Sequence, residues 1–438
     1  MSEQVRKASG LASDPANGAG EEFSSNAVRL SGTQWAIALC LVVAIVLLLP
    51  WAQQRGERFE PSGDYRIPYQ SSEDYYLYAK YARYASWRYP AAVIGDSVVW
   101  GHYVAPNATL PHFLNQEAGA ALFANLGLDG IRQVAVAGLM RYYAKDIAKQ
   151  GVMLHLNPLW MSSPEADMCE PGGPPAGPSG RLASLGRLLL RKGRDGEEGA
   201  RLNHPGLVPQ VLSRPYGYNP QFAEIVGIYL QRDIPYVSWL RHLRMTYYEN
   251  LGIQTWSLSN PYKSPLSAIS VAPAAPEDAA QGSPVPWFTS GVETQDFPWV
   301  ALDKSYQWRF FKQTVRVLRA RGNGVFVLLG PFNTHLMTAG SAQRYDQLRG
   351  EMEGWLKAQG IPYSAPAPLA SELYADASHP LEKGYAQLAQ ELLASRAFRV
   401  WLAEVRIREK HTRSWAAPTH LAESPRASEA LRQGNGAM

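Results

Sequence analysis

Five short apolar runs, each halted by glycine, proline or asparagine or by a small-residue turn, restrict this chain more than any other feature. They are Val93 to Gly95, Ala121 to Asn125, Val152 to Leu156, Val325 to Leu329 and Ile361 to Ser364. Around them lie stretches with helical character: Thr109 to Ala118, Ile131 to Lys149, Ser305 to Ala320 and Ser341 to Gln359, with Leu381 to Leu393 closing the pattern. Strands alternating with helices over short connections argue for a parallel sheet built with right-handed crossovers. The predicted fold class is α/β: a flavodoxin-like three-layer αβα sandwich with a central parallel five-stranded sheet. In that strand order the first and third strands flank the switch point, and the loops after them line a site.

The first strand delivers Gly95-Asp96-Ser97 into a turn. Asp96 and Ser97 would serve equally as plain turn and helix-capping residues. The other end of the sheet-forming region carries Asp376-Ala377-Ser378-His379. An acid and a histidine three apart on a turn can both reach a serine brought in from another strand. The acid would orient the imidazole while the imidazole takes the serine proton. Ser97, His379 and Asp376 are therefore the candidate catalytic residues.

These blocks resemble the SGNH (GDSL-type) hydrolases. Gly95-Asp96-Ser97 matches that family's nucleophile block, Asn125-x-Gly127-x-x-Gly130 its second block, and Asp376-x-x-His379 its last. The resemblance implies an oxyanion hole formed by the backbone of Ser97 and Gly130 and the side chain of Asn157. The third block departs from the family pattern, because the chain reads Leu156-Asn157-Pro158-Leu159-Trp160 there. That departure, an N-terminal anchor, a long insertion and Pro331-Phe332-Asn333 on a later strand look like the DltD-like branch, which is membrane-anchored and partners a polytopic O-acyltransferase. Asp96, Asn125, Trp160, Asn333 and His335 are candidate substrate contacts. For several residues a plain structural role competes. Asn125 suits a helix cap, Gly127 and Gly130 suit a tight turn, and His155 and His335 suit hydrogen-bonded structural histidines. No HExxH, close Cys/His cluster or glycine-rich phosphate loop occurs, so neither a metal nor another cofactor is expected.

The 438 residues carry 42 basic and 38 acidic side chains, a net charge of +4, with no basic block interleaved with aromatics, so nucleic acid is not an expected partner. Cys40 and Cys169 make no disulfide framework, since Cys40 lies in an apolar run. That run, Trp35 to Trp51, holds no charge and is just long enough for a bilayer, with a tryptophan near each boundary. A transmembrane anchor over 31–54 is predicted, with the bilayer as partner through residues 35–51. Arg55, Arg58 and Arg66 follow the span and only Arg29 closely precedes it, so basic residues favour the opposite orientation to the exported domain that the resemblance implies.

Residues 1–30 and 411–438 have the composition of disordered tails. The domain is expected over 55–410, with an insertion at about 161–300 that roofs the site or offers a partner surface. Within it Pro171 to Gly180 reads as a loop, Arg181 to Arg191 as a basic helical turn, and Phe222 to Asn250 as one long helix. The tyrosine-rich stretch Ser72 to Arg88 reads as a helix packed on its own domain or as a surface for a partner. The function expected is a membrane-anchored extracytoplasmic serine esterase or acyl-transfer enzyme, acting on acetyl-like O-acyl esters of a cell-envelope glycan. The alternatives are an accessory factor of a polytopic membrane O-acyltransferase and a non-catalytic glycan-binding module on the same fold.

Overall fold

The computed structural model describes residues 30–57, 59–167, 222–249, 252–264, 267–268 and 284–416. The expected N-terminal tail up to residue 29, the loop at 171–180, the basic turn at 181–191, Cys169 and the tail beyond 416 lie outside the described residues. The chain divides into two compact units, one up to Ala52 and one from Gln53 onward.

The first unit is described by helix α1 (Gly32–Gly56), which runs on past the division. Its start is a reciprocal cap: the Gln34 N–H donates to Ser31 Oγ at 3.3 Å, and the Ser31 N–H donates to Gln34 Oε1 at 2.8 Å. Leucine, alanine and valine then carry the helix, and its 22-residue segment Gly32–Gln53 is long and apolar enough to cross a membrane. Its side chains stand bare, from Trp35 through Leu39 and Leu47 to Trp51.

The second unit is an αβα sandwich. Strands β1 (Ala91–Ile94), β2 (Phe123–Asn125), β3 (Gly151–Leu156), β4 (Gly324–Leu329) and β5 (Tyr363–Ser364) form one sheet in the order β2-β1-β3-β4-β5. Every pairing is parallel, with Val93 opposite Asn125, Ile94 opposite Leu154, and Leu156 opposite Leu329. Helices α2 (Tyr75–Arg88), α3 (Ser97–Trp100), α4 (Leu110–Glu117) and α5 (Gln133–Gly138) accompany the first three strands. Helices α6 (Phe222–Asp233) and α7 (Pro235–Leu243) belong to the long β3–β4 connection. Helix α8 (Tyr306–Ala320) leads into β4, and α9 (Ala339–Ala358), α10 (Glu382–Ala394) and α11 (Arg396–Ala416) follow it.

Successive strand residues point to opposite faces, and here both faces are buried. Ala92, Ile94, Val152, Leu154, Val325 and Val327 pack with α2, α5, α8 and α9. Ala91, Val93, Met153, Phe326 and Leu328 pack with α3, α4, α10 and α11. A sheet covered on both sides needs continuous rather than alternating apolar strands, which is why its strands read as unbroken runs.

Several elements differ from expectation for identifiable reasons. The helix expected over Ile131 to Lys149 is α-helical only from Gln133 to Gly138, the poorest helix former in a stretch that holds no proline, and then widens into a π-turn at Leu139–Tyr143. The single helix expected from Phe222 to Asn250 is two. Pro235 offers no N–H and crowds the preceding turn, so α6 stops at Asp233 and α7 starts at Pro235 before relaxing into a π-turn over Arg244–Glu249. Helix α11 was not foreseen and continues to Ala416, inside the stretch expected as a tail, while Phe398, Trp401, Leu402 and Val405 press onto the sheet. On α2, Tyr75, Tyr78 and Tyr81 are buried in the core, whereas Trp87 is 81 % exposed. Of the described helices of the insertion, α7 fastens onto the start of α2 through Arg241 and His242, and much of the segment expected to roof the site lies outside the described residues.

Candidate active site

The carboxyl ends of β1 and β3 meet where the strand order reverses, as ligand-binding open sheets require. There β1 turns into α3, whose first residue is Ser97. Asp96 is the N-cap, its Oδ1 accepting the Val98 N–H at 3.1 Å. Helix α3 is clamped against the loop after β2. Asn125 Nδ2 donates to the Val99 carbonyl at 2.9 Å, and Asn125 Oδ1 accepts the Gly127 N–H at 3.0 Å. Gly127 must lack a side chain, since a Cβ there would lie 2.5 Å from the backbone nitrogen of Trp100.

His379 arrives from the turn before α10. Ser97 Oγ lies 2.8 Å from His379 Nε2, and His379 Nδ1 lies 2.7 Å from Asp376 Oδ2 and 2.8 Å from Oδ1. Asp376 Oδ1 also accepts the N–H groups of Ser378 and His379, both at 2.9 Å, so the acid closes its own turn. Ser97 and His379 are only 6 % and 7 % exposed, while Asp376 is half-buried. Burial would raise the Asp376 carboxyl, but the charge and hydrogen bond of His379 and the two backbone donors hold it down at about 2. For His379, burial acts to lower the imidazole's affinity for a proton. The Asp376 carboxylate, with Asp96 and Asp129 behind it, outweighs burial and raises it above its ordinary value.

The remaining sequence candidates fall into distinct places. Asp96, expected as a substrate contact, is instead fully buried beneath Ser97. Its Oδ2 accepts Asn157 Nδ2 and Trp160 Nε1, each at 2.8 Å, which leaves it no face toward a ligand. Burial alone would raise its carboxyl, but His155 and Asn157 outweigh this and hold it below the usual carboxylate range. His155 Nε2 donates to the Gly330 carbonyl at 3.1 Å. Its Nδ1 sits 3.1 Å from Asp96 Oδ1, off the line of a good hydrogen bond.

Asn157 stands at the end of β3, its Oδ1 accepting the Leu159 N–H at 3.0 Å and one amide hydrogen committed to Asp96. Asn125, another expected substrate contact, is buried and holds backbone, as above. Asn333 is buried too, its Nδ2 donating to the Asp376 carbonyl at 3.1 Å and its N–H to the Ala377 carbonyl at 2.9 Å, so it steadies the acid–histidine turn. His335 Nε2 instead donates to the Leu369 carbonyl at 3.0 Å, away from the Ser97–His379 contact. Trp160 is partly exposed, with the Arg132 guanidinium 4.8 Å from its ring centre. Among the described residues, the N–H groups of Ser97 and Gly130 meet no acceptor.

Three neighbours of the site were not singled out in the sequence. His102 and Asp129 form a second histidine–carboxylate contact at 2.7 Å. The Tyr103 ring packs 5.4 Å from that of His379, and burial followed by the charge of Asp376 pushes its phenol up to about 12. No spacing rule marks a histidine five residues after a serine, so only the folded turn reveals them. Among the described residues no group of three or more His, Cys, Asp and Glu side chains forms a metal-holding cluster. The chain matches no protein-family model, and no curated protein matches it.

Proposed function

We propose that the chain is a membrane-anchored serine esterase or acyl-transfer enzyme of the SGNH type. Residues 35–51 cross the bilayer, the α/β domain faces away from the cytoplasm, and the substrates are acetyl-like O-acyl esters of a cell-envelope glycan. The observation that carries this reading is the unbroken run from Ser97 Oγ through His379 to Asp376, with contacts of 2.8 and 2.7 Å.

In this reading Ser97 attacks the ester carbonyl as His379 Nε2 removes its proton, and Asp376 keeps the proton of His379 on Nδ1. The N–H groups of Ser97 and Gly130 face the oxygen that gains charge. The second amide hydrogen of Asn157 joins them, its orientation fixed by Asp96 and by the Leu159 N–H. Loss of one such donor costs about 3 kcal/mol in the transition state. Asn333 acts indirectly, by holding the turn that carries the acid and the base.

Hydrolysis and transfer share the acyl-serine and differ only in whether water or a glycan hydroxyl accepts the acyl group. The anchor, the long β3–β4 connection and the block around Asn157 support the DltD-like version, in which a polytopic O-acyltransferase is the partner. The test is turnover of short-chain aryl esters by the purified chain. Ser97→Ala should lower it by at least about 10³-fold with the melting temperature unchanged; equal turnover by both proteins would refute the reading.

A further inference from the structure

The reaction as written occupies Ser97 and His379 and leaves a neighbouring imidazole without a part. The His102 ring centre lies 5.6 Å from that of His379, with 42° between the ring planes, and the Tyr103 ring packs against both. Its carboxylate partner at 2.7 Å, Asp129, immediately precedes Gly130 in the loop after β2. His102 thus links the turn that carries the base to the loop that carries the Gly130 N–H.

Its placement is rigid. The His102 N–H donates to the Ser97 carbonyl at 3.1 Å, so the ring hangs directly from the helix that carries the serine. Gly101 turns the chain at φ 92°, a conformation suited to glycine, and a Cβ there would meet Thr109 Cγ2 at 2.6 Å. The buried Arg66 donates to the carbonyls of Trp100 and Gly101 at 2.9 and 2.6 Å. On the other side the Leu128 N–H donates to the Gly95 carbonyl at 3.1 Å, which fixes the loop bearing Asp129. Both members of the pair are therefore tied to the nucleophile turn, the preorganisation that a binding contact needs.

A carboxylate only accepts hydrogen bonds, so the His102 proton facing Asp129 sits on Nδ1. Nε2 has no partner among the described residues, and 26 % of the side chain reaches solvent. A Cβ built on Gly130 would meet no atom within 4 Å, so space lies open beside the pair. The Asp96–His155 pair, by contrast, is wholly buried. A hydroxyl both donates and accepts, so it satisfies Nε2 whether that nitrogen is bare or protonated. An ammonium, which only donates, or a carboxylate, which only accepts, would suit one state alone.

The hydroxyl that receives the acyl group must approach His379 Nε2 to surrender its proton. In a sugar ring a second hydroxyl stands on the next carbon, about one hydrogen-bond length away. Two hydrogen bonds of about 2.8 Å and that gap together span imidazoles whose centres are 5.6 Å apart. An alcohol with a single hydroxyl engages only one of them.

We propose that His102 Nε2 binds a second hydroxyl of the acyl acceptor, adjacent to the one that is acylated, so that the site selects ring alcohols with neighbouring hydroxyls. This deepens the acyl-serine reading and rests on it. His379 keeps both of its roles, as base and as acid. In the transfer step the first hydroxyl gives its proton to His379 Nε2 while its oxygen bonds to the acyl carbon. The bond from that carbon to Ser97 Oγ then breaks, and Oγ takes the proton from His379. His102 neither gains nor loses a proton; it holds the acceptor in register for attack.

The experiment is a competition between two acceptors. The full chain in detergent is acylated with 4-nitrophenyl acetate in equal concentrations of cyclohexanol and of cis-cyclohexanediol, whose hydroxyls stand on neighbouring carbons. The two acetate esters are then quantified by chromatography. Both leave the same acyl-enzyme, so their ratio does not depend on how fast that species forms. One ordinary hydrogen bond should favour the diol about 10-fold per hydroxyl. Asparagine keeps a donor where Nδ1 stands and has nothing where Nε2 stands, so His102→Asn should bring the ratio per hydroxyl to about one. Glutamine places its amide at the Nε2 position, and His102→Gln should restore part of the preference. No preference in the unaltered chain, a full preference surviving in His102→Asn, or release of acetate with neither alcohol acylated would overturn the assignment. If the asparagine variant melts early, Asp129→Asn replaces it: the imidazole stays, the carboxylate that orients it is gone, and the same ratio must fall. If the unaltered chain forms no acyl adduct at Ser97, the acyl-serine reading fails, and this proposal with it.

Discussion

At His379 burial and charge pull in opposite directions, and charge wins. Burial disfavours the imidazolium, but Asp376 at 2.7 Å, with Asp96 and Asp129 near, raises its proton affinity above the ordinary histidine value. A general base works only when neutral. The acid limb of kcat/KM should therefore lie above pH 6.5, with activity lost as pH falls through the raised value. Asp376→Asn removes the largest charge that raises it, so the limb should move toward lower pH while the rate falls on the order of 10⁴-fold. A pH–rate profile of both proteins checks this, and an unmoved limb would contradict it. At this scale the sequence made Ser97, His379 and Asp376 visible as candidates, because an acid three positions before a histidine is a local pattern. His102, Tyr103 and Asp129 were invisible, since the first two reach His379 only through the turn at Gly101 and Asp129 only through the loop after β2. Asp96 shows the ambiguity in between: a residue that caps a helix and one that binds a ligand look alike until its Oδ2 is found holding Asn157 and Trp160.

Among the elements, the fastening of α7 to α2 depends on one buried cation. His242 Nδ1 donates to Asp74 Oδ2 at 2.6 Å and Nε2 to Glu57 Oε1 at 3.0 Å, with Lys80 also paired to Glu57 and Thr246 donating to Asp74. Burial would lower the imidazole, but the hydrogen bonds and charges of the two carboxylates raise it to about 9. Burial would likewise raise Glu57, yet its bonds to His242 and Lys80 bring it down to about 2. The signs follow from linkage. The His242 contribution to stability is complete below about pH 6.5 and lost as pH rises through about 9. The Glu57 contribution is complete above its ordinary value of 4.5 and lost as pH falls toward about 2. His242→Met leaves the buried Asp74 without the imidazolium and Glu57 with Lys80 alone, and should cost about 3–5 kcal/mol. Thermal melting from pH 6.5 to 9 should show a falling midpoint in the unaltered chain and a flatter profile in the variant. Parallel profiles would contradict the account. None of this was legible in the sequence, because Glu57, Asp74 and His242 lie on separate elements. The break at Pro235 was legible in principle, but the apolar spacing across it hid the interruption.

For the whole molecule, the sheet was the most legible part. Burial on both faces turns each strand into a short continuous apolar run, and the helical spacing between runs leaves parallel pairing as the natural solution. Helix α11 was legible in principle, since Phe398, Trp401, Leu402 and Val405 recur at the i, i+3, i+4 and i+7 spacing of one helix face, yet the charged residues between them masked it. The apolar helix α1 was equally plain, since an uncharged run of that length has few other uses. The strand order brings the turns after β1 and β3 together, and the turn before α10 closes over them, so residues from both ends of the domain meet at Ser97. The central claim is that this serine forms a covalent bond to its substrate's acyl group. Reaction of the purified chain with a fluorophosphonate, followed by peptide mass mapping, tests that claim most directly. The account predicts one adduct, on Ser97, absent from Ser97→Ala and strongly slowed in His379→Ala. No adduct on a folded chain, or an adduct on another serine that survives Ser97→Ala, would contradict it.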